Sequence, residues 1–305
     1  MILHLPAVKS LLTKRTGGSV HSRYCYSVWL RHLINWYSIR KNIPEKVAEL
    51  GPGDSLGASL AALLSGCQSA VALEVDKYGN VEKNLTIFEE LVELFKNKTP
   101  IPDQNEYPRV IPFLEQYDFP AHIISDEILA KTLSEERLNT IRREIKDVYN
   151  PNNTLIKYHI PWNDDKIVDA ETIDFVYSQA VMEHVEDVKG TYEAVYKWLK
   201  PGGLTSHSID FKSHNITKSW NGYRTFSELE WKIVKGGRLF LINRVPYSTH
   251  IELQKKLNLK ILKSIPYKKE NEIPHEQFSE KFKQLSEEDM TTSEAYILSI
   301  KEGSR

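Results

Sequence analysis

The amino-acid sequence predicts an α/β fold, a doubly wound and mostly parallel sheet of seven strands with a helical insertion and a cap over the ligand site. Three observations lead to this fold class. Seven short apolar runs are spaced along the chain, helical segments alternate with most of them, and a glycine-rich turn links the first run to a helix. Repeated β-α alternation is typical of a largely parallel sheet with helices on both faces.

The composition is that of a globular protein and disfavours several other classes. The chain has 305 residues, which fits one elaborated domain or two small ones, and 41% hydrophobic with 27% charged residues is typical of globular proteins. Its formal net charge of −1 disfavours nucleic acid as a partner. The two cysteines indicate no disulfide framework, and no apolar run reaches the roughly 20 residues of a membrane span. We therefore expect a cytoplasmic protein without a membrane span.

The N-terminal region, residues 1–45, is predicted to be a helical lid. It is rich in basic and aromatic side chains, and a Gly17-Gly18 pair interrupts it. Arg23 and Tyr24 could close over a bound ligand, but a solvated basic helix face would have the same composition. The remaining residues, 46–305, are predicted to form the main domain.

A βαβ unit opens the main domain. The run KVAEL (46–50) is a predicted strand, and it is followed by the turn GPGDSLG, the helical LAALLSG (60–66) and the strand SAVALEV (69–75). Residues 80–150 are then charged and amphipathic, and this stretch is far longer than an ordinary crossover. We expect a helical insertion there that roofs the cleft or makes a homodimer contact.

The alternation resumes after the insertion. A helix is predicted at 190–200, stopped by Pro201-Gly202-Gly203, and another at 248–257. Residues 211–246 are expected to be irregular and to form the substrate cap. The five further predicted strands are 154–160, 172–178, 204–210, 259–265 and 295–301.

The turn after the first strand carries the first chemical signal. Gly51 and Gly53 let the backbone approach a ligand closely at a helix N-terminus. Glu74, at the end of the next strand, can accept hydrogen bonds from both hydroxyls of a ribose, and Asp76 is the rival for this role. Glu49, two positions before Gly51, could receive the amino group of a ligand.

These motifs resemble those of the class I S-adenosylmethionine-dependent methyltransferases. The similar segments are ELGPGDSLG (49–57), IPWN (160–163), IDFVYSQAVMEHVED (173–187) and WLKPGG (198–203). The resemblance implies S-adenosylmethionine as cofactor, with Glu49 near its methionine moiety and Glu74 on its ribose. It also implies that Ser178 lies at the tip of the fourth strand, beside the cofactor.

The segment after the fourth strand bears on the reaction type. Residues 178–181 read Ser-Gln-Ala-Val, whereas methyltransferases acting on the amino groups of bases or glutamine often carry Asn/Asp-Pro-Pro-aromatic there. Some similar quinone O-methyltransferases bind a divalent metal through a Glu-Glu-His group. Ala180 takes the place of the first Glu here, so we predict no metal and a structural role for His184.

The end of the fifth strand carries the candidate catalytic residues. His214 and Asp210 follow this strand where an acceptor would approach, and a hydroxyl acceptor gains from a positioned base. His214 is the candidate base, with substrate hydrogen bonding and an ordinary loop histidine as alternatives. Asp210 could orient it or hold the substrate, and His207 and His184 are the next candidates.

The predicted function is O-methylation of a small-molecule acceptor, a sugar or a sugar-derived compound. Aromatics interleaved with arginines and amides in the cap suit sugar binding, and the chain resembles bacterial methyltransferases associated with glycan biosynthesis. N-methylation of a small amine and O-methylation of an aromatic hydroxyl are the alternatives within the class. A non-catalytic S-adenosylmethionine-binding protein is the alternative outside it, and RNA methylation is disfavoured by the net charge.

Overall fold

The computed structural model describes residues 19–76, 80–162, 164–238 and 240–303. Residues 1–18 of the predicted lid lie outside these ranges. The helices are α1 (Ser22–Arg40), α2 (Gly57–Leu64), α3 (Val81–Lys96), α4 (Asp126–Thr132), α5 (Glu135–Lys146), α6 (Val188–Trp198), α7 (Glu228–Lys235), α8 (Tyr247–Lys256) and α9 (Glu287–Thr291). The strands are β1 (Lys46–Leu50), β2 (Ser69–Leu73), β3 (Ile156–His159), β4 (Ile173–Gln179), β5 (Leu199–Asp210), β6 (Leu259–Lys268) and β7 (Thr292–Lys301).

One seven-stranded sheet organises the chain, in the order β3-β2-β1-β4-β5-β7-β6. The first five strands in this order pair in parallel, and β7 pairs antiparallel with both β5 and β6. The predicted fold class is confirmed, because this is the mixed sheet of the class I methyltransferase fold. The order reverses between β1 and β4, and ligands bind at such a switch point in open α/β sheets.

Helices cover both faces of the sheet. On one face α1, α2 and α3 bury a cluster that includes Trp29 and Phe88, and on the other face α6 and α8 bury one that includes Tyr192 and Trp198. Helix α3 illustrates the local cause: Asn80 caps its N-terminus, and apolar residues recur every three or four positions on its buried side. No helix in the described part of the chain is long and apolar enough to span a bilayer.

The 80–150 stretch contributes helices α3, α4 and α5, and its described residues form no strand. Two features differ from prediction. The Pro201-Gly202-Gly203 turn lies inside β5, which begins at Leu199 and passes through an irregular register against β4. The cap is less irregular than predicted, because Ser227 and Glu230 form a capping box that starts helix α7.

Candidate functional site: the carboxyl edge of the sheet

The glycine turn after β1 is held in a conformation that few other residues adopt. Gly51 and Gly53 have φ angles of +63° and +71°. A Cβ on Gly51 would lie 2.7 Å from Cγ2 of Val181, which follows β4. Both glycines are therefore required by the backbone, and the turn packs directly against the loop after the neighbouring strand.

Glu74 lies immediately after β2 and is 3% exposed. Its Oε2 accepts a hydrogen bond from the backbone N of Gly53 and its Oε1 accepts one from the backbone N of Val75, both at 2.8 Å. Burial raises the pKa of Glu74. Each carboxylate oxygen keeps lone pairs for a further donor, so the group can bind two hydroxyls while the turn holds it still. Asp76 is exposed, which favours Glu74 for this role.

Glu49 is buried at the end of β1. Its Oε2 accepts hydrogen bonds from the hydroxyl of Ser59 at 2.5 Å and from that of Tyr177 at 3.1 Å. Burial raises the pKa of Glu49 to about 7, against the effect of these two hydrogen bonds. The carboxylate is thus fixed, and a cation that reached it would gain strongly from pairing with it.

Ser178 lies at the predicted place near the end of β4, but its hydroxyl faces the interior. The hydroxyl pairs with Nδ1 of His207 at 2.7 Å, and Nε2 of His207 pairs with the hydroxyl of Thr205 at 2.6 Å. Burial lowers the pKa of His207 to about 3. His207 is therefore a neutral structural residue, and the side chain of Ser178 is not directed into the cleft.

His214 and Asp210 come together at the carboxyl end of β5, where Asp210 is the last residue of the strand and His214 follows four positions later. His214 has a φ of +48°, and this turn brings its Nε2 to 3.6 Å from Oδ2 of Asp210. Asp210 also accepts a hydrogen bond from the backbone N of Lys212 at 2.8 Å. Burial lowers the pKa of His214, while the charge of Asp210 acts in the opposite direction.

Glu183, which the sequence pattern offered only as the second Glu of the Glu-Glu-His metal group, lies at this edge beside His214. It is 3% exposed, and neither carboxylate oxygen has a hydrogen-bond partner among the described residues. Its Oε1 lies 3.9 Å from Nε2 of His214. Burial, and after it the charge of Asp210, raises the pKa of Glu183 well above its usual range. Its position two residues beyond Val181, in the loop after β4, was the available signal.

His184 completes a group that could hold a metal ion. Its ring lies edge-on to that of His214, with centroids 4.9 Å apart, and burial lowers its pKa to about 4. One ligand atom from each of Glu183, His184 and His214 falls within 4.8 Å of the others. Two imidazoles and a carboxylate suit a divalent transition metal. Glu183 and His184 are the second Glu and the His of the Glu-Glu-His pattern, and His214 is the third member in place of the first Glu, which is Ala180 here.

The described part of the lid lies against the glycine turn. The hydroxyl of Ser19 accepts a hydrogen bond from the backbone N of Asp54 at 2.8 Å, and its carbonyl accepts one from Ser55. Arg23 forms two hydrogen bonds of 2.7 and 2.6 Å with Glu106 of the insertion. The N-terminal segment is thereby fastened to the turn and to the insertion.

Residues 211–246, the predicted cap, are tied to the loop after β4. Asn243 donates to the carbonyls of Met182 and Val185 at 2.7 and 2.8 Å, which ties the cap to the loop that carries Glu183. Beneath it, a cavity of about 10 Å³ is lined by Glu183, Asp210 and cap residues. That volume holds one water at most.

The arginines of the cap stabilise the cap itself. Arg224 is 2% exposed and donates to the carbonyls of Met290 and Asp289. Arg244 lies 4.4 Å from the ring centre of Trp231 and donates to Glu228 at 2.7 Å. The aromatic and arginine pattern that suggested sugar stacking is therefore accounted for, at these two arginines, by internal packing.

Part of the chain matches a known protein family. A methyltransferase domain model matches residues 126–206, which include β3, β4 and most of β5. No curated protein matches the chain. Together with the sheet order, the domain match confirms the predictions of methyltransferase activity and of S-adenosylmethionine as the cofactor.

Several solved structures are similar in fold. A SAM-dependent methyltransferase of Methanosarcina mazei is 11% identical over 89% of this chain and 98% of its own, with a TM-score of 0.44. One from Mesorhizobium loti is 14% identical over 87% and 97%, with a TM-score of 0.41. Phosphoethanolamine N-methyltransferase 2 of Haemonchus contortus, in complex with S-adenosyl-L-methionine, is 13% identical over 92% and 57%, with a TM-score of 0.43.

Proposed function

We propose that this methyltransferase transfers the methyl group of S-adenosylmethionine to a hydroxyl of a small polar acceptor, a sugar or a sugar-derived compound. The observation that carries the proposal is that His214, Asp210 and Glu183 lie close together at the carboxyl ends of two adjacent strands, β4 and β5. Strand β4 also neighbours β1, so these groups lie beside the glycine turn that would hold the donor.

The donor would be held by the residues around the switch point. Gly51 and Gly53 allow close approach of the backbone, Glu74 accepts hydrogen bonds from the ribose, and Glu49 receives the ammonium of the methionine moiety. Ser178 would contribute through its backbone at the strand tip, because its hydroxyl is engaged by His207.

His214 would act as the base. Its lowered pKa keeps the imidazole neutral at pH 7, so that it can accept a proton. As the acceptor oxygen bonds to the methyl carbon, the carbon–sulfur bond breaks, S-adenosylhomocysteine leaves as a neutral thioether, and the hydroxyl proton passes to His214. Asp210, 3.6 Å away, stabilises the imidazolium that forms. Alignment of donor and acceptor supplies most of the acceleration.

The polar groups of the cleft support a hydroxylated acceptor. Glu183 has a raised pKa and can both donate and accept as a neutral carboxylic acid, while Asp210 accepts. Such groups suit neighbouring hydroxyls of a sugar. A small amine is the second candidate, because an ammonium would pair with the buried carboxyl of Glu183, whose oxygens accept no hydrogen bond from the described residues. The cavity beneath the cap, lined by Glu183 and Asp210, is too small for either ligand.

An acceptor panel with His214 variants tests this proposal. Formation of S-adenosylhomocysteine would be measured with nucleotide sugars, free sugars, small amines and phenols. His214→Ala should lower turnover on the preferred acceptor by about 10²–10⁴-fold while leaving donor affinity unchanged. His122→Ala, which alters an exposed histidine of the insertion, is the matched control. Full activity of His214→Ala, or methylation of amines alone, would contradict the proposal.

Treatment with a chelator distinguishes two roles for His214, a base that accepts a proton and a ligand that binds a metal ion. Activity should survive treatment with EDTA if His214 accepts the proton. If EDTA abolished turnover and one divalent cation restored it, Glu183, His184 and His214 would instead be assigned to ligation. The readout should include bound metal by elemental analysis, so that a structural cation is recognised even if activity does not change.

A further inference from the structure

A second cavity lies at the opposite edge of the sheet from the proposed methyl-transfer site. Its volume is about 460 Å³, within the range of small-molecule sites. Ile43 lines it shortly before β1 begins, and Gly66 and Gln68 line it just before β2. Since Gly51 and Glu74 follow the other ends of the same two strands, the cavity is at the amino edge and is separate from the donor site.

The charged residues that line this cavity all carry a positive charge. Lys41, Lys131 and Arg137 line it, and none of the described lining residues is an acid. Arg137 is held in place because its Nη2 donates to the carbonyls of Cys67 at 2.7 Å and Leu63 at 3.3 Å. Three cations that share a concave wall without a carboxylate attract an anion.

Two polar atoms in the same wall have no hydrogen-bond partner among the described residues. One is the hydroxyl oxygen of Thr132, a residue that is 4% exposed, and the other is Nε of Arg137. Buried polar atoms are rarely left unpaired, so each calls for a water or a ligand atom.

The rest of the wall is apolar. Tyr37, Ile43, Ile123 and Ile128 line it. Gly66 has a φ of +114°, and a Cβ there would lie 3.2 Å from the side chains of both Ile128 and Ile43. The absence of a side chain at this position keeps the floor open. The cavity thus combines an apolar floor with a cationic rim.

We propose that this cavity binds a small amphipathic anion, an apolar body that carries a carboxylate or phosphate group. The apolar body lies on the isoleucines and Tyr37, and the anionic group lies among Lys41, Lys131 and Arg137. This site is additional to the proposed methyl transfer and does not depend on the identity of the acceptor.

Two fluorescent probes that differ in charge test the site. The anionic probe is 8-anilino-1-naphthalenesulfonate, and the uncharged analogue N-phenyl-1-naphthylamine lacks the sulfonate. Lys131→Glu should weaken binding of the anionic probe by about tenfold or more, because an attractive charge becomes repulsive. Binding of the uncharged probe should not change. Lys255→Glu is the matched control, since Lys255 also lies in the last turn of a surface helix.

Competition with S-adenosylhomocysteine shows whether the anionic probe binds in the donor site or in the second cavity. We expect the anionic probe to remain bound at saturating S-adenosylhomocysteine. Displacement by S-adenosylhomocysteine would place the probe in the donor site and overturn the proposal. Equal affinities of wild type, Lys131→Glu and Lys41→Glu for the anionic probe would also overturn it, as would tighter binding of the uncharged probe.

Discussion

Donor affinity should depend on pH through Glu49. The ligand-free carboxyl is buried and has a pKa of about 7, so it is protonated in much of the population at mildly acidic pH. The ammonium of S-adenosylhomocysteine pairs with the ionised form. The protein must therefore lose a proton before the pair forms, and binding should weaken as the pH falls below 7.

The size of the effect follows from the pKa. With a value near 7, about three-quarters of the molecules are ionised at pH 7.5 and about one-tenth at pH 6. If the protonated form binds poorly, affinity should fall by about eightfold between these two values, and about 0.9 proton should be released per ligand bound at pH 6. The ligand's amino group stays largely protonated at and below pH 7.5, so it adds little to the change.

Calorimetry in two buffers of different ionisation enthalpy measures both quantities. Glu49→Gln should bind S-adenosylhomocysteine weakly at both pH values and should release no proton from this site. This control also distinguishes proton release by Glu49 from proton release by Glu74, because burial raises the pKa of Glu74 as well. Wild-type affinity that is equal at pH 6 and pH 7.5, with no proton released, would refute the assignment of Glu49 to the ammonium.

Three further predictions concern Glu74, Gly51 and Glu49. Glu74→Ala should weaken S-adenosylhomocysteine binding by about 1–3 kcal/mol in calorimetry, whereas Asp76→Ala should not; the reverse result would transfer the ribose role to Asp76. Gly51→Ala should lower the free energy of unfolding by about 1–3 kcal/mol, because the residue has a positive φ and its Cβ would meet Val181. Adding Val181→Ala should recover part of the loss in denaturant unfolding, and no recovery would show that the backbone angle alone is responsible. Because the pKa of Glu49 rises from 4.5 to about 7 on folding, its carboxyl disfavours the folded state increasingly from pH 4.5 to pH 7. Glu49→Gln should therefore gain stability over wild type, up to about 3 kcal/mol above pH 7, and thermal melts with equal differences at pH 5 and pH 8 would contradict this.

The fold and the conformation of the glycine turn were predictable because their signals are local. Each strand is a short apolar run, and Gly51, Gly53 and Glu74 lie within two turns that directly follow strands β1 and β2. Their roles depend on backbone conformation and strand order, which periodicity and glycine placement indicate.

The acceptor side was less predictable because it depends on burial and on contacts that are distant in sequence. Glu183 is significant because it is buried and lies next to Asp210 and His214, and no local pattern gives that proximity. His207 looked like a candidate base until the structure placed its ring between the hydroxyls of Ser178 and Thr205. A buried neutral histidine and a catalytic one have the same sequence signal.

The residues that would choose the acceptor lie mostly outside the segment that matches the methyltransferase domain. That segment, 126–206, contains Glu183 and His184 but ends before Asp210 and His214, and it contains no part of the cap. The proposed donor residues Glu49, Gly51, Gly53 and Glu74 lie before that segment, so donor binding and acceptor choice would be carried by different parts of the chain. The loop after β4 joins them, since Val181 packs on Gly51 and the cap is tied to the same loop through Asn243. A shift of the cap would be transmitted through this loop to the glycine turn. Binding of the donor and binding of the acceptor should therefore be energetically coupled.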